Sequence, residues 1–146
     1  MKFFFALTIS ILHTLSIKSQ TYNADQIIGD WISPKKDLIV RCYKENNLYY
    51  GKVVWFYRYY PVQPDNPNGL PESQWVNTVV MSKFSFADNE WSGGEIYEIK
   101  IGKTYDAYIK LLDTNTLIVT GYVFWRIFSE TTSFTRYKEA KLPAFN

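Results

Sequence analysis

The sequence has almost none of the residues that commonly carry hydrolytic, redox or metal chemistry. Its 146 residues include one cysteine, Cys42, and one histidine, His13. A lone cysteine forms no intramolecular disulfide. Cys42 sits in a strand-like run, where a thiol is expected to be buried and inert rather than nucleophilic. His13 lies in an N-terminal apolar stretch that is expected to be removed, which leaves the mature chain without an imidazole. Ser–His–Asp and Cys–His catalysis are thereby excluded. Zinc and most other transition-metal sites depend on His or paired Cys, so no metal, cofactor or catalytic residue is expected. No P-loop, dinucleotide fingerprint or EF-hand spacing occurs. With 7 glycines and 6 prolines, collagen-like and low-complexity readings also fall away.

An excess of one charge is missing as well. The chain carries 16 Lys and Arg against 14 Asp and Glu. Removing residues 1–19 deletes Lys2 and Lys18 and no acid, so the remaining charges balance. A neutral domain with scattered charges lacks the electrostatic footprint of a nucleic-acid binder. Polybasic attachment to a membrane is excluded for the same reason.

What is present begins with a leader. Lys2 gives a basic start, Phe3 to Ile17 is largely apolar, and Lys18-Ser19-Gln20 is polar. That order is a secretory signal peptide at residues 1–19, cut near Ser19 or Gln20. It is too short to cross a bilayer, which takes about 20 apolar residues. No cysteine lies at the cut, so no lipid attachment point is seen. The expectation is an exported protein without a stable membrane anchor, resident in the periplasm or outside the cell. Residues 20–146 then form one domain, being too few for two.

That domain is rich in aromatic side chains, which make up 18% of the chain. Tyr, Val, Ile, Thr, Trp and Phe dominate after residue 29, and these residues favour pleated, half-buried surfaces. A short helical lead-in over residues 22–29 is expected, capped by Asn23 or Asp25 and ended by Gly29. Turn residues then cut the chain into eight strands: Trp31 to Ser33, Leu38 to Lys44, Leu48 to Tyr57, Thr78 to Phe86, Glu90 to Ile99, Thr104 to Leu112, Thr116 to Phe124 and Thr131 to Lys138. Tyr105, Ala107, Ile109 and Leu111 alternate with Asp106 and Lys110. Eight antiparallel strands in up-and-down order suggest a closed all-β barrel, because closure removes exposed edges. One Pro-rich loop, at about residues 58–77, interrupts this order. It is expected either to fold across one barrel end on aromatic anchors or to be an ordered surface loop.

Several short motifs fall in an order that resembles a known bacterial family. Gly29-Asp30-Trp31 opens the first strand as Gly-x-Trp does in lipocalin-like barrels, and Arg136 stands where those barrels place an Arg over that Trp. The resemblance makes Gly29, Trp31 and Arg136 the barrel-closing set, with a stack worth roughly 0.5–2 kcal/mol. Gly51-Lys52-Val53-Val54-Trp55, Asp65-Asn66-Pro67, Trp91-Ser92-Gly93-Gly94-Glu95-Ile96-Tyr97, Gly102-Lys103-Thr104-Tyr105, Leu117 with Gly121-Tyr122, and Thr131 to Arg136 follow. Over roughly residues 28–138 this is similar to the bacterial domain of unknown function 2147, small exported proteins with a lipocalin-like barrel. The chain departs from that pattern in three places. Tyr50 and Cys42 cannot form the disulfide many members carry, Glu72 to Val76 replaces a basic Pro-Leu-Leu-Gly-like stretch, and Ser129-Glu130-Thr131 replaces Gly-Arg-Thr with reversed charge.

The remaining chemistry is sparse. Asp65, Asn66 and Asn68 offer oxygens that could hold calcium, but a Pro-rich turn uses such side chains to bond its own backbone. Glu95, Glu98, Asp106 and Glu130 are the acids available for a carboxylate pair. Glu95 and Glu98 should face opposite ways on a regular strand. Gly93 and Gly94 beside Trp91 suggest a bulge. The aromatics either fill a narrow barrel or line a cavity for a small lipophilic ligand. In the second reading Trp55, Tyr57, Tyr59, Trp75, Trp91 and Tyr105 are the ligand-binding candidates. A non-enzymatic binding barrel is therefore expected, with a filled structural or protein-interaction domain as the alternative. A carboxylate-dependent hydrolase comes third.

Overall fold

Turn chemistry sets the strand boundaries. Asn46 and Asn47 adopt φ of 49° and 62°, and Asp88 and Asn89 adopt 52° and 60°. Asn and Asp tolerate this left-handed region better than other side chains, and paired positive φ is what a two-residue hairpin loop requires. The strands joined by these and the other turns are β1 (Gly29–Ile32), β2 (Leu38–Glu45), β3 (Leu48–Phe56), β4 (Val79–Ala87), β5 (Glu90–Glu98), β6 (Lys103–Asp113), β7 (Thr116–Val123) and β8 (Phe128–Tyr137). In the computed structural model each strand pairs antiparallel with the next, and β8 pairs with β1, so the sheet closes into an eight-stranded barrel. The all-β, up-and-down barrel expected from the sequence is the observed fold.

The structure describes residues 20–57, 68–124 and 126–138. The expected leader, Tyr59, Asp65, Asn66 and the centre of the Pro-rich loop lie outside the described residues. The boundaries differ from expectation mainly at β8, which begins at Phe128 rather than Thr131. The lead-in is a single 3-10 turn, Ala24–Ile27, and not a longer helix. Asn23 caps it: its side chain accepts from the Asp25 N–H while Gln26 reaches back to the Asn23 N–H.

Alternation places the core inside the barrel. Along β3, Tyr49, Gly51 and Val53 are buried, and along β6, Ala107, Ile109 and Leu111 are buried. Gly93 and Gly94 form the expected irregularity, with a register shift between Trp91 and Gly94 against β6. A Cβ on Gly94 would stand 2.6 Å from the Phe84 ring, so only glycine lets these strands approach so closely. Cys42 is free and buried, and burial pushes its thiol up to about 12.

Candidate functional site

The two ends of the barrel differ because large side chains are distributed unevenly between them. One end, where β1 starts and β8 finishes, is plugged. Trp31 and Trp91 are fully buried there. Each indole buries roughly 200 Å², worth about 5 kcal/mol at 25 cal/mol/Å². That gain survives because both N–H groups find acceptors: Trp31 Nε1 donates to the Ile27 carbonyl at 2.8 Å and Trp91 Nε1 to the Ala24 carbonyl at 3.1 Å. Tyr49 packs edge-on against Trp91 at 6.3 Å. Its hydroxyl donates to Asp25 at 2.6 Å, beside Lys44 at 3.0 Å, and these two hydrogen bonds hold the Asp25 carboxyl below its ordinary value.

Arg136 spans the seam at this end. Its guanidinium lies 4.1 Å from the Trp31 ring and donates to the carbonyls of Gln26, Ile28 and Thr114 at 2.6, 3.2 and 2.8 Å. Burial lowers its pKa from the ordinary arginine value. Gly29 has φ of +129°, and a Cβ there would stand 3.2 Å from Arg136 Nη1. Gly29, Trp31 and Arg136 are thus brought together as a group.

Among the described residues the opposite end is open. It is ringed by the β1–β2 loop, the described parts of the β3–β4 loop, and the β5–β6 and β7–β8 turns. A cavity of about 440 Å³ runs into the barrel from it. Its deep wall is aliphatic and sulfur-bearing, from Val40, Met81, Ile96 and Val119, and Phe134 joins them from β8. Nearer the rim stand Tyr97, Tyr105 and Phe128, whereas the Tyr122 ring is turned to the outer wall beside Tyr108 and Arg126. The polar lining is Glu98, Ser129, Glu130 and Thr132, and no Lys or Arg lines the cavity among the described residues. Gly121 sits opposite Glu130 in the β7–β8 ladder and leaves that part of the wall without a side chain.

Of the ligand-binding candidates, Tyr105 lines this cavity. Trp91 lies in the plugged end. Trp75 is buried beside the β3–β4 loop, 4.9 Å from the Phe56 ring, with its indole N–H donating to the Leu70 carbonyl at 2.8 Å and Lys100 above it at 5.9 Å. It anchors the described end of that loop, whose Leu70 N–H donates to the Ile99 carbonyl. Trp55 pairs with Ile39, which alternates with the cavity-lining Leu38 and Val40, so Trp55 faces outward. Tyr57 follows β3, with its N–H donating to the Asp37 carbonyl at 2.7 Å. Among the acids, Glu98 and Glu130 share the cavity, whereas Glu95 is exposed opposite Asp106. Sequence reasoning passed over Tyr97 and Phe128. Two-residue alternation back from Phe134 through Thr132 and Glu130 would have reached Phe128.

Comparison with known families bears on the whole barrel. The family model described as uncharacterized protein conserved in bacteria, DUF2147, matches residues 29–136. The chain belongs to the DUF2147 family. The matched segment begins at Gly29 and ends at Arg136, the residues that meet at the seam of this DUF2147 barrel. Among solved structures it is similar to protein HP1028 from the human pathogen Helicobacter pylori, described as belonging to the lipocalin family. The TM-score is 0.59 at 17% identity, over 77% of this chain and 84% of that one, which establishes a shared lipocalin-like fold. No curated protein matches the sequence. Among the described residues of this DUF2147 member no helix is long and apolar enough to cross a membrane, and no group of His, Cys, Asp and Glu is placed to hold a metal ion.

Proposed function

We propose that this protein is exported and binds a small amphiphile, with the apolar part of the ligand inside the open end of the barrel. The observation that carries this reading is the cavity of about 440 Å³. Its size falls within the roughly 300–1,000 Å³ usual for small-molecule sites, and its apolar wall with few polar groups is the usual composition. The lining also constrains the ligand's charge. Glu98 and Glu130 are the charged side chains among the described lining residues. An anionic head beside two carboxylates would be repelled, and a desolvated one would cost more still. The ligand class is therefore a neutral or cationic amphiphile rather than a free fatty acid. Tyr105 is the contact we assign among the aromatic candidates, with Tyr97 and Phe128 beside it.

A fluorescence titration tests this reading, using an uncharged solvatochromic probe displaced in turn by a long-chain alcohol, a long-chain amine and a fatty acid. Saturable blue-shifted binding, displaced by the alcohol and amine before the fatty acid, supports the proposal. Absence of saturable binding contradicts it. The hydrolase reading draws on one observation, that Glu98 and Glu130 share a cavity. Recovery of an added ester or glycoside ligand unchanged after incubation would exclude it.

A further inference from the structure

The cavity has a closed floor. Along β8 its lining runs from Phe128 at the mouth to Phe134, and the next inward side chain is Arg136, already stacked on Trp31 in the plug. The lining stops in the same way on other strands. On β2 it ends at Val40, and the following inward residue is the buried Cys42. On β7 it ends at Val119, with the fully buried Leu117 next toward the plug. Met81 of β4 completes the floor. A Cβ on Gly51 would stand 2.9 Å from Val40 Cγ1 and 3.0 Å from the Met81 sulfur, so these two side chains close over the glycine.

Strand geometry turns this floor into a depth. Phe128 and Phe134 lie six residues apart on β8. At a rise of about 3.3 Å per residue and a tilt of roughly 40° to the barrel axis, the cavity is about 15 Å deep. An extended alkyl chain, with bonds of roughly 1.5 Å, advances about 1.3 Å per carbon, so about twelve carbons reach the floor. Volume gives a second count. A methylene group takes roughly the room of one water, about 30 Å³, so the cavity of about 440 Å³ holds about fifteen. Volume over depth gives a mean cross-section on the order of 30 Å². One chain needs roughly 23 Å² on the same figures, so two side by side do not fit.

We infer that the barrel floor is a ruler for chain length: the site takes a single alkyl chain, tail first, and reads it up to about twelve to fifteen carbons. The inference rests on the ligand-binding reading and narrows its ligand from amphiphiles in general to single-chain ones. Tail-first entry follows from the gradient of the lining. Glu98 and Glu130 are exposed, whereas Val40, Met81, Val119 and Phe134 at the floor are buried and apolar. A polar head sent to the floor would lose its water and meet only these side chains. Carbons beyond the limit stay at the mouth in water and add nothing to affinity. Val119 and Phe134 set the limit because the end of the tail meets them.

The experiment is displacement of the uncharged solvatochromic probe from the purified chain by primary alkylamines of six to eighteen carbons, each kept below its micelle concentration. Affinity should strengthen roughly fourfold with each added methylene, as burial of that group predicts. The rise should break at about twelve to fifteen carbons and stay level beyond, with one amine per chain. Val119→Phe raises the floor and Phe134→Val lowers it, so each should move the break by about two carbons, in opposite directions. Hexylamine, whose tail stops short of the floor, should keep its wild-type affinity in both. Circular dichroism melts identify the folded variants, and one of the two suffices. An uninterrupted rise through eighteen carbons would overturn the inference and leave the ligand-binding reading standing. So would a break that stays in place in a folded V119F or F134V, or a second amine bound per chain. No displacement at any length would overturn the ligand-binding reading and the ruler together.

Discussion

Arg136 and Trp31 are directly opposed across the β1–β8 seam, and the guanidinium of the first lies 4.1 Å from the indole of the second. The contact joins the two ends of the barrel in the chain to one another and covers its plugged floor. The guanidinium also satisfies carbonyls on three separate segments, at Gln26, Ile28 and Thr114.

Loss of this side chain should therefore destabilise the fold. Arg136→Ala is expected to lower unfolding free energy by about 2–3 kcal/mol, combining the stack with the charge-assisted hydrogen bonds. Arg136→Lys should recover less than half of that, because an ammonium cannot reproduce the planar fork. Denaturant titration measures both, and equal stability of R136A and wild type would remove the seam role.

Filling the mouth should separate binding from folding. Thr132 is exposed and lines the cavity, so Thr132→Trp places an indole where the ligand is proposed to lie. The probe affinity should fall roughly tenfold or more, with the melting temperature little changed. Unaltered affinity in a folded T132W would locate the ligand elsewhere.

Charge reversal of preference is the test of the two carboxylates. In the double variant E98Q/E130Q, fatty acids should gain affinity and long-chain amines lose it, by roughly tenfold or about 1.4 kcal/mol each. A competition series against the same probe reads this directly. Parallel shifts for both classes would mean that Glu98 and Glu130 do not set ligand charge.

Arg126 in the β7–β8 turn donates to Glu90 at 2.7 Å, with Lys110 at 3.3 Å, and this ion pair should respond to pH. Burial would raise the Glu90 carboxyl, but hydrogen bonds from Arg126 and Lys110 outweigh it and hold the group below its ordinary value of 4.5. A depressed folded pKa contributes stability above the unfolded value and loses it as pH falls through the folded value. Glu90→Gln should thus be less stable than wild type by about 1 kcal/mol near pH 7. The difference should shrink as both proteins are taken down to about pH 3. A gap that stays constant across that range would exclude the ion pair as its source.

Most of the barrel was legible because its turns advertise themselves. Asn46-Asn47 and Asp88-Asn89 are residue types that accept positive φ, and the strands between them alternate. The β7–β8 turn was misjudged for the opposite reason. Phe124 and Arg126 take positive φ without being residues that signal a turn, and the start of β8 is exposed on both faces, with no apolar–polar alternation between Phe128 and Phe134 to mark it as a strand. The site was harder to read than the fold. Aromatic content alone does not say which end of a barrel a ring occupies. Trp31, Trp75 and Trp91 went where backbone carbonyls could take their N–H groups, and the cavity was left to tyrosines, Phe128 and aliphatic side chains. Glu130, noted in the sequence as a reversed charge and as one acid of a possible carboxylate pair, lines that cavity because it shares a face with Thr132 and Phe134.

Native mass spectrometry of the chain recovered from its host tests the central claim most directly. The expected spectrum contains the protein with one small molecule of neutral or cationic type, which disappears on denaturation and is missing from T132W prepared in the same way. The bare protein mass in both, unchanged after incubation with a lipid extract of the host, would contradict the ligand-binding account.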